Sequence, residues 1–168
     1  MNWIKKFLYT NCSFGGLLLT QTLITWLMFY YAPPTHNPQG LVPLVPIFAM
    51  GLAVFVGRLV DAIADPLIGY WSDHAETPWG RRKPFILLGN IPLIFCFIML
   101  WYPPVTVMSQ ANVWHVMIYL SAFFFFFTVV ICPCLALLPE LAKTIKERLS
   151  LSTWMAFMII AGAALGMI

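Results

Sequence analysis

The chain has 168 residues, of which 61% are hydrophobic and only 9% charged, and its mean hydropathy is +0.87. Soluble domains carry about 25% charged residues, so this composition excludes a soluble globular protein. The net charge of +3 comes from basic residues clustered in short connections between apolar runs. It therefore reports on membrane topology, and nucleic acid is not its partner.

A bilayer core takes about 20 apolar residues per helix, and five runs of that size follow in order: roughly 10–31, 43–70, 84–101, 113–137 and 149–168. The expected fold is an all-α, polytopic membrane protein of five transmembrane helices. Lys5 and Lys6 precede the first run. Arg81, Arg82 and Lys83 separate the second from the third, and Lys143, Lys146 and Arg148 the fourth from the fifth. The stretches Ala32 to Gly40 and Tyr102 to Asn112 hold no Lys or Arg. Positive residues stay inside, which places the N-terminus in the cytoplasm of a cell membrane protein.

The first run carries Thr20, Gln21, Thr22 and Thr25. Their helical spacing points either to interhelical hydrogen bonds or to a substrate cavity, for which Thr20, Gln21 and Thr25 are the candidates. Trp26, Phe29, Tyr30 and Tyr31 form an interfacial aromatic cluster, and Pro33, Pro34 and Pro38 end the helix.

The second run holds Arg58, Asp61 and Asp65. At about 100° per residue, positions i, i+3 and i+7 fall within roughly 60° of one another, so the three share one stripe. Each charge at mid-membrane costs about 2.5–3.5 kcal/mol on insertion scales, and such residues face a bundle interior or an aqueous cavity. An Arg58–Asp61 pair that only locks helices together leaves Asp65 unexplained. Two carboxylates one turn apart repel unless a proton or cation lies between them. Asp61 and Asp65 are therefore the expected cation site for Na⁺ or H⁺ (a metal site in the Na⁺ case), with Arg58 modulating their charge. Pro66 frees a carbonyl beside them and is expected to kink the helix. Gly51, Gly57 and Gly69 give this helix a thin face for close packing.

The third run is uncharged, and Asn90 and Pro92 suggest a local irregularity. In the fourth, the five phenylalanines 123–127 cover every side of a helix and are expected to serve lipid contact and packing. Cys12, Cys96, Cys132 and Cys134 show no metal-binding spacing and are expected as small apolar fillers. No cofactor and no enzyme motif emerges.

The pattern Asp61-Ala62-Ile63-Ala64-Asp65-Pro66-Leu67-Ile68-Gly69, then Asp73, then Trp79-Gly80-Arg81-Arg82-Lys83-Pro84, resembles the glycoside–pentoside–hexuronide:cation symporters of the major facilitator superfamily, the melibiose permease-like group. Pro139-Glu140-Leu141 followed by Glu147-Arg148 resembles a second motif of the same family. The resemblance implies a cation-coupled symporter of a sugar or glycoside-like solute, with Asp61 and Asp65 as cation ligands. It also implies that Gly69, Asp73, Gly80, Arg81 and Arg82 form a gating loop paired to a neighbouring helix end. Such transporters have twelve spans in two six-helix bundles. The chain is thus expected to be the N-terminal part, most of the first bundle, with a C-terminal half, a small-molecule substrate and the bilayer as partners.

By the same resemblance, acidic residues that bind sugar hydroxyls in melibiose permease-like members are replaced here by Leu17 and by Ile131 or Cys132. A nearby arginine is replaced by Met155 or Ala156. A galactoside is therefore not the expected substrate; another sugar, a glycoside conjugate or an amphiphile stays open. The competing reading from a different class is a non-transporting membrane scaffold or assembly factor with the same fold.

Overall fold

The computed structural model describes residues 3–34, 40–78 and 80–168, without the side chains of Ile4 and Lys5; Pro38 and Trp79, used above, lie outside the described residues. Among those described, all regular structure is helical. Apolar runs of this length must satisfy every backbone polar group internally, and a helix does so within one segment.

Helix α1 (Trp3–Thr22) passes through a π turn at Leu23–Leu27 into the short α2 (Met28–Tyr31), and the paired prolines that follow end it as the sequence suggests. Helix α3 (Ile47–His74) starts only after Pro46 and runs unbroken through Pro66, longer at its far end than the expected 43–70. Helix α4 (Lys83–Met99) also runs unbroken, through Pro92, with the Asn90 amide donating to the Ile86 carbonyl at 2.7 Å. Pro92 has no N–H to donate, so the local irregularity expected there is confined to a lost backbone bond within a continuous helix. Helix α5 (Gln110–Ala136) is capped by Ser109, whose hydroxyl accepts from the Ala111 amide at 3.2 Å. After one turn, α6 (Leu138–Leu141), Thr144 caps α7 (Ile145–Met167) by accepting from the Glu147 amide at 3.3 Å.

Four of these segments are long and apolar enough to cross a membrane, and α4 is a shorter apolar helix of 17 residues, at the low end of what spans a hydrocarbon core. Many large apolar side chains point outward, among them Phe48, Leu88, Ile91 and Phe157. That is how a helix bundle meets lipid rather than water.

Helix α3 packs on α5, α4 on the other side of α5, and α1 on α7. The α1–α7 seam is tight: a Cβ on Gly162 would stand 2.5 Å from the Phe14 carbonyl oxygen, so the backbones approach as closely as small residues permit. The main core gathers Leu27, Tyr31, Met50, Leu100, Val116 and Phe123. Phe123 and Phe124, from the run expected to serve lipid contact and packing, are among the most buried of the described residues. At one end the Tyr31 hydroxyl donates to the Leu100 carbonyl at 2.8 Å. There Asn112, fully buried, donates to the carbonyls of Leu44, Val105 and Val107 at 2.9–3.2 Å. At the other end Lys6 donates to Ser150 at 2.8 Å, and Tyr9 donates to the Cys134 carbonyl at 3.0 Å. Cys12 and Cys134 meet where α1 faces α5, with Cα atoms 7.1 Å apart; Cys96 is buried and Cys132 half-buried.

Candidate functional site

The face of α3 that meets α5 is marked by its buried residues Met50, Ala53, Gly57, Ala64, Ile68 and Ser72. Taking Gly57 as the centre, 100° steps put Asp61 about 40° away, Asp65 about 80° and Arg58 about 100°. The charged stripe therefore runs along the edge of the packed face, where it borders α5 on one side and open space on the other. Gly57 and Gly69 do lie against α5, and Gly51 has nothing within 4 Å of where its Cβ would stand, so only two of the three expected glycines thin the interface.

Asp61 has both carboxylate oxygens engaged. Thr128 of α5 donates to Oδ1 at 2.6 Å, and Arg58 donates through Nη1 to Oδ2 at 3.3 Å. Asp65, one turn on, has no hydrogen-bond or ion-pair partner for its carboxylate among the described residues. Asp61, Asp65 and Thr128 line a cavity of about 380 Å³, with Phe127, Ile131 and Cys132 on its α5 wall. Two carboxylates and a hydroxyl from a facing helix converge on one space. Thr128 lies 67 residues from Asp61, and sequence reasoning missed it; helical spacing relates residues only within one helix, so no signal short of the α3–α5 pairing finds it.

The proposed substrate residues are placed elsewhere. Thr20 is buried and donates to the Gly16 carbonyl of its own helix at 2.9 Å. Gln21 packs against Gly166 of α7. Thr25 is exposed on the π turn, a feature that recurs at functional sites. None of the three lines the cavity of Asp61 and Asp65.

Beyond α3, Arg82 gathers the two sequence motifs into one cluster. Its guanidinium donates to Asp73 Oδ1 at 2.6 and 3.2 Å, to Glu140 at 2.9 Å, and to the Ala136 carbonyl at the end of α5. Its side chain is only 12% exposed. Arg81 stands 3.5 Å from the same Glu140. Gly80 holds a φ of +98°, which suits glycine alone, and so aims both arginines back at the helix ends. A Cβ on Gly69 would stand 3.8 Å from the Sγ of Cys132, a residue of the cavity lining. The sequence treated Glu140 as part of a separate second motif; here it is the acid that completes the first.

Membrane-length helices, with a pair of carboxylates turned into a cavity between two of them, define a polytopic membrane protein. The chain belongs to the MFS/sugar transport protein family, whose model matches residues 9–168. It is 30% identical, over 173 aligned residues and its whole length, to an uncharacterized symporter of Synechocystis. Over 97% of its length it is 29% identical to an isoprimeverose transporter of Lactiplantibacillus pentosus. Over 74% it is 30% identical to a sodium-dependent lysophosphatidylcholine symporter, 1-B, of Danio rerio. The chain spans 30%, 32% and 24% of those proteins' lengths, respectively.

Proposed function

We propose that the protein is a secondary active transporter that couples the uptake of a sugar or glycoside-like solute to a monovalent cation, Na⁺ or H⁺, bound between Asp61 and Asp65. The observation that carries this reading is the convergence of both carboxylates and the Thr128 hydroxyl on one cavity. Charge counting selects the ion. Two carboxylates and Arg58 leave one net negative charge, which a single Na⁺ or proton neutralises and a divalent ion overshoots. An uncompensated charge in a low-dielectric site is the costly state, so an occupied site is free to move where a vacant one is not.

The substrate class follows the relatives' names, which include an isoprimeverose transporter and a lysophosphatidylcholine symporter; sodium dependence in the second supports Na⁺. The relatives are about three to four times the length of this chain, and we take their additional length to complete the substrate pathway, with Thr25 as a candidate contact on this side. The test is solute accumulation in vesicles bearing the protein at its full natural length, under an imposed Na⁺ or pH gradient, with a panel of glycosides. Uphill uptake driven by one gradient and abolished by its collapse is expected. Equal uptake with and without either gradient contradicts symport and puts the scaffold reading in front.

The basic connections support an N-terminus on the cytoplasmic side of the cell membrane. Cysteine-accessibility labelling is expected to place Glu76 and Lys143 inside and Gln110 outside. Labelling of Gln110 and Lys143 from the same side contradicts that orientation.

A further inference from the structure

We propose that Phe124 is a positioning residue for cation binding: its ring holds the Arg58 guanidinium partly off Asp61 and so sets the affinity of the site. This inference rests on the cation-site reading of Asp61 and Asp65 above. The Arg58 guanidinium carbon lies 4.5 Å from the centroid of the Phe124 ring, while a single nitrogen reaches a single oxygen of Asp61, at 3.3 Å. An arginine free to choose binds a carboxylate through two parallel hydrogen bonds. Arg58 does not, because the ring beneath it draws the cation toward its negative face.

The ring is fixed for this task from both sides. Gly57 makes room for it, since a Cβ there would stand 2.6 Å from Phe124 Cδ2. Phe123 closes the other side edge-on, with centroids 5.6 Å apart. Phe124 is 2% exposed, so it cannot swing away. One turn further along α5, Thr128 takes the other oxygen of Asp61. The same face of α5 thus orients the carboxylate with a hydroxyl and restrains its competitor with a ring. When a cation enters between Asp61 and Asp65, Arg58 has to give up Asp61, and the ring supplies a resting place for its charge. Without the ring, the guanidinium settles fully on Asp61 and competes harder with the incoming ion.

The experiment titrates the purified protein at its full natural length, following intrinsic tryptophan fluorescence. One arm uses Na⁺ at about pH 8, and the other uses protons in sodium-free choline chloride. Phe124→Leu is expected to weaken the cation by about three- to tenfold, the range of a partly desolvated cation–π contact. Because a core substitution can unfold the protein, a second series replaces Phe124 by mono-, di- and trifluorophenylalanine. These keep the ring's shape and drain its negative face, and affinity is expected to fall stepwise along the series. Gly57→Ala, which pushes the ring aside, is expected to act in the same direction. In an Arg58→Gln background every one of these effects should vanish.

Affinity unmoved by fluorination overturns the inference, and so does an equal loss in the Arg58→Gln background, which marks a packing role. The Asp65→Asn variant separates the two levels. A titration that survives it overturns the cation site and the inference together. One that needs Asp65 yet ignores the ring's electronics overturns the inference alone.

Discussion

Asp65→Asn is expected to abolish uphill accumulation, bringing the solute ratio across the membrane to about one, while downhill exchange continues. Asp65 carries the charge that nothing in the described structure neutralises, whereas Asp61 already has Arg58 and Thr128. With an amide at 65, the Arg58–Asp61 pair is neutral by itself and a cation is no longer needed to complete the site. The two carboxylates lie one helical turn apart, about 5–6 Å between Cβ atoms, so each raises the other's demand for a counter-ion. Linkage requires that a cation which tightens substrate binding be tightened by substrate to the same degree; removing the demand removes both halves. Asp61→Asn should also uncouple transport, with an added fault. It releases Arg58, which then has Asp65 as its nearest acid. Counterflow that continues beside a lost gradient response in Asp65→Asn would bear this out, and unchanged accumulation would refute it.

Arg82→Met is expected to slow transport on the order of tenfold, within the range by which one site biases another's equilibrium, and to leave cation affinity nearly unchanged. One guanidinium joins the end of α3 through Asp73, the end of α5 through the Ala136 carbonyl, and α6 through Glu140. Removing it leaves two acids facing the carbonyl end of a helix, which already carries partial negative charge. Arg81, at 3.5 Å from Glu140 and with a side chain 59% exposed, is a poor substitute, so Arg81→Met should do less. Among the described residues the cluster makes no hydrogen bond or ion pair to Asp61 or Asp65, so it is expected to bias states without binding the ion. Initial rates and cation half-saturation, measured together, check this. An equal loss in both would mean that the cluster shapes the site itself.

The charged stripe was legible because its three members belong to one helix and helical geometry relates them without further knowledge. The apolar runs were legible for a similar reason: bilayer thickness sets their length, and the helix boundaries lie within about four residues of the expected ones, except that α1 begins earlier, at Trp3. What escaped depends on how helices pair. Thr128 reaches Asp61, and Glu140 reaches Arg82, across chain separations that no periodicity encodes. The phenylalanine run was read as serving both lipid contact and packing because five in a row have no preferred side; which of them pack escaped, and the packing of α5 against α3 and α4 buries two, Phe123 and Phe124. Gln21 has cavity-compatible chemistry, but the close α1–α7 seam at Gly162 and Gly166 claims it. The π turn at Leu23–Leu27 follows no composition rule that the sequence displays.

Charge balance at Arg58, Asp61 and Asp65 is the central claim, and cation titration of four proteins tests it most directly: the unaltered chain at its full natural length, Asp65→Asn, Arg58→Gln, and the double variant of both. The unaltered site has one net negative charge and should bind one Na⁺ or proton; Asp65→Asn is neutral and should bind none. Arg58→Gln has two and should bind more tightly. The double variant returns to one negative charge on Asp61 and should regain binding that Asp65→Asn lost. Binding in Asp65→Asn at the affinity of the unaltered protein, or a double variant as inert as Asp65→Asn, would contradict it.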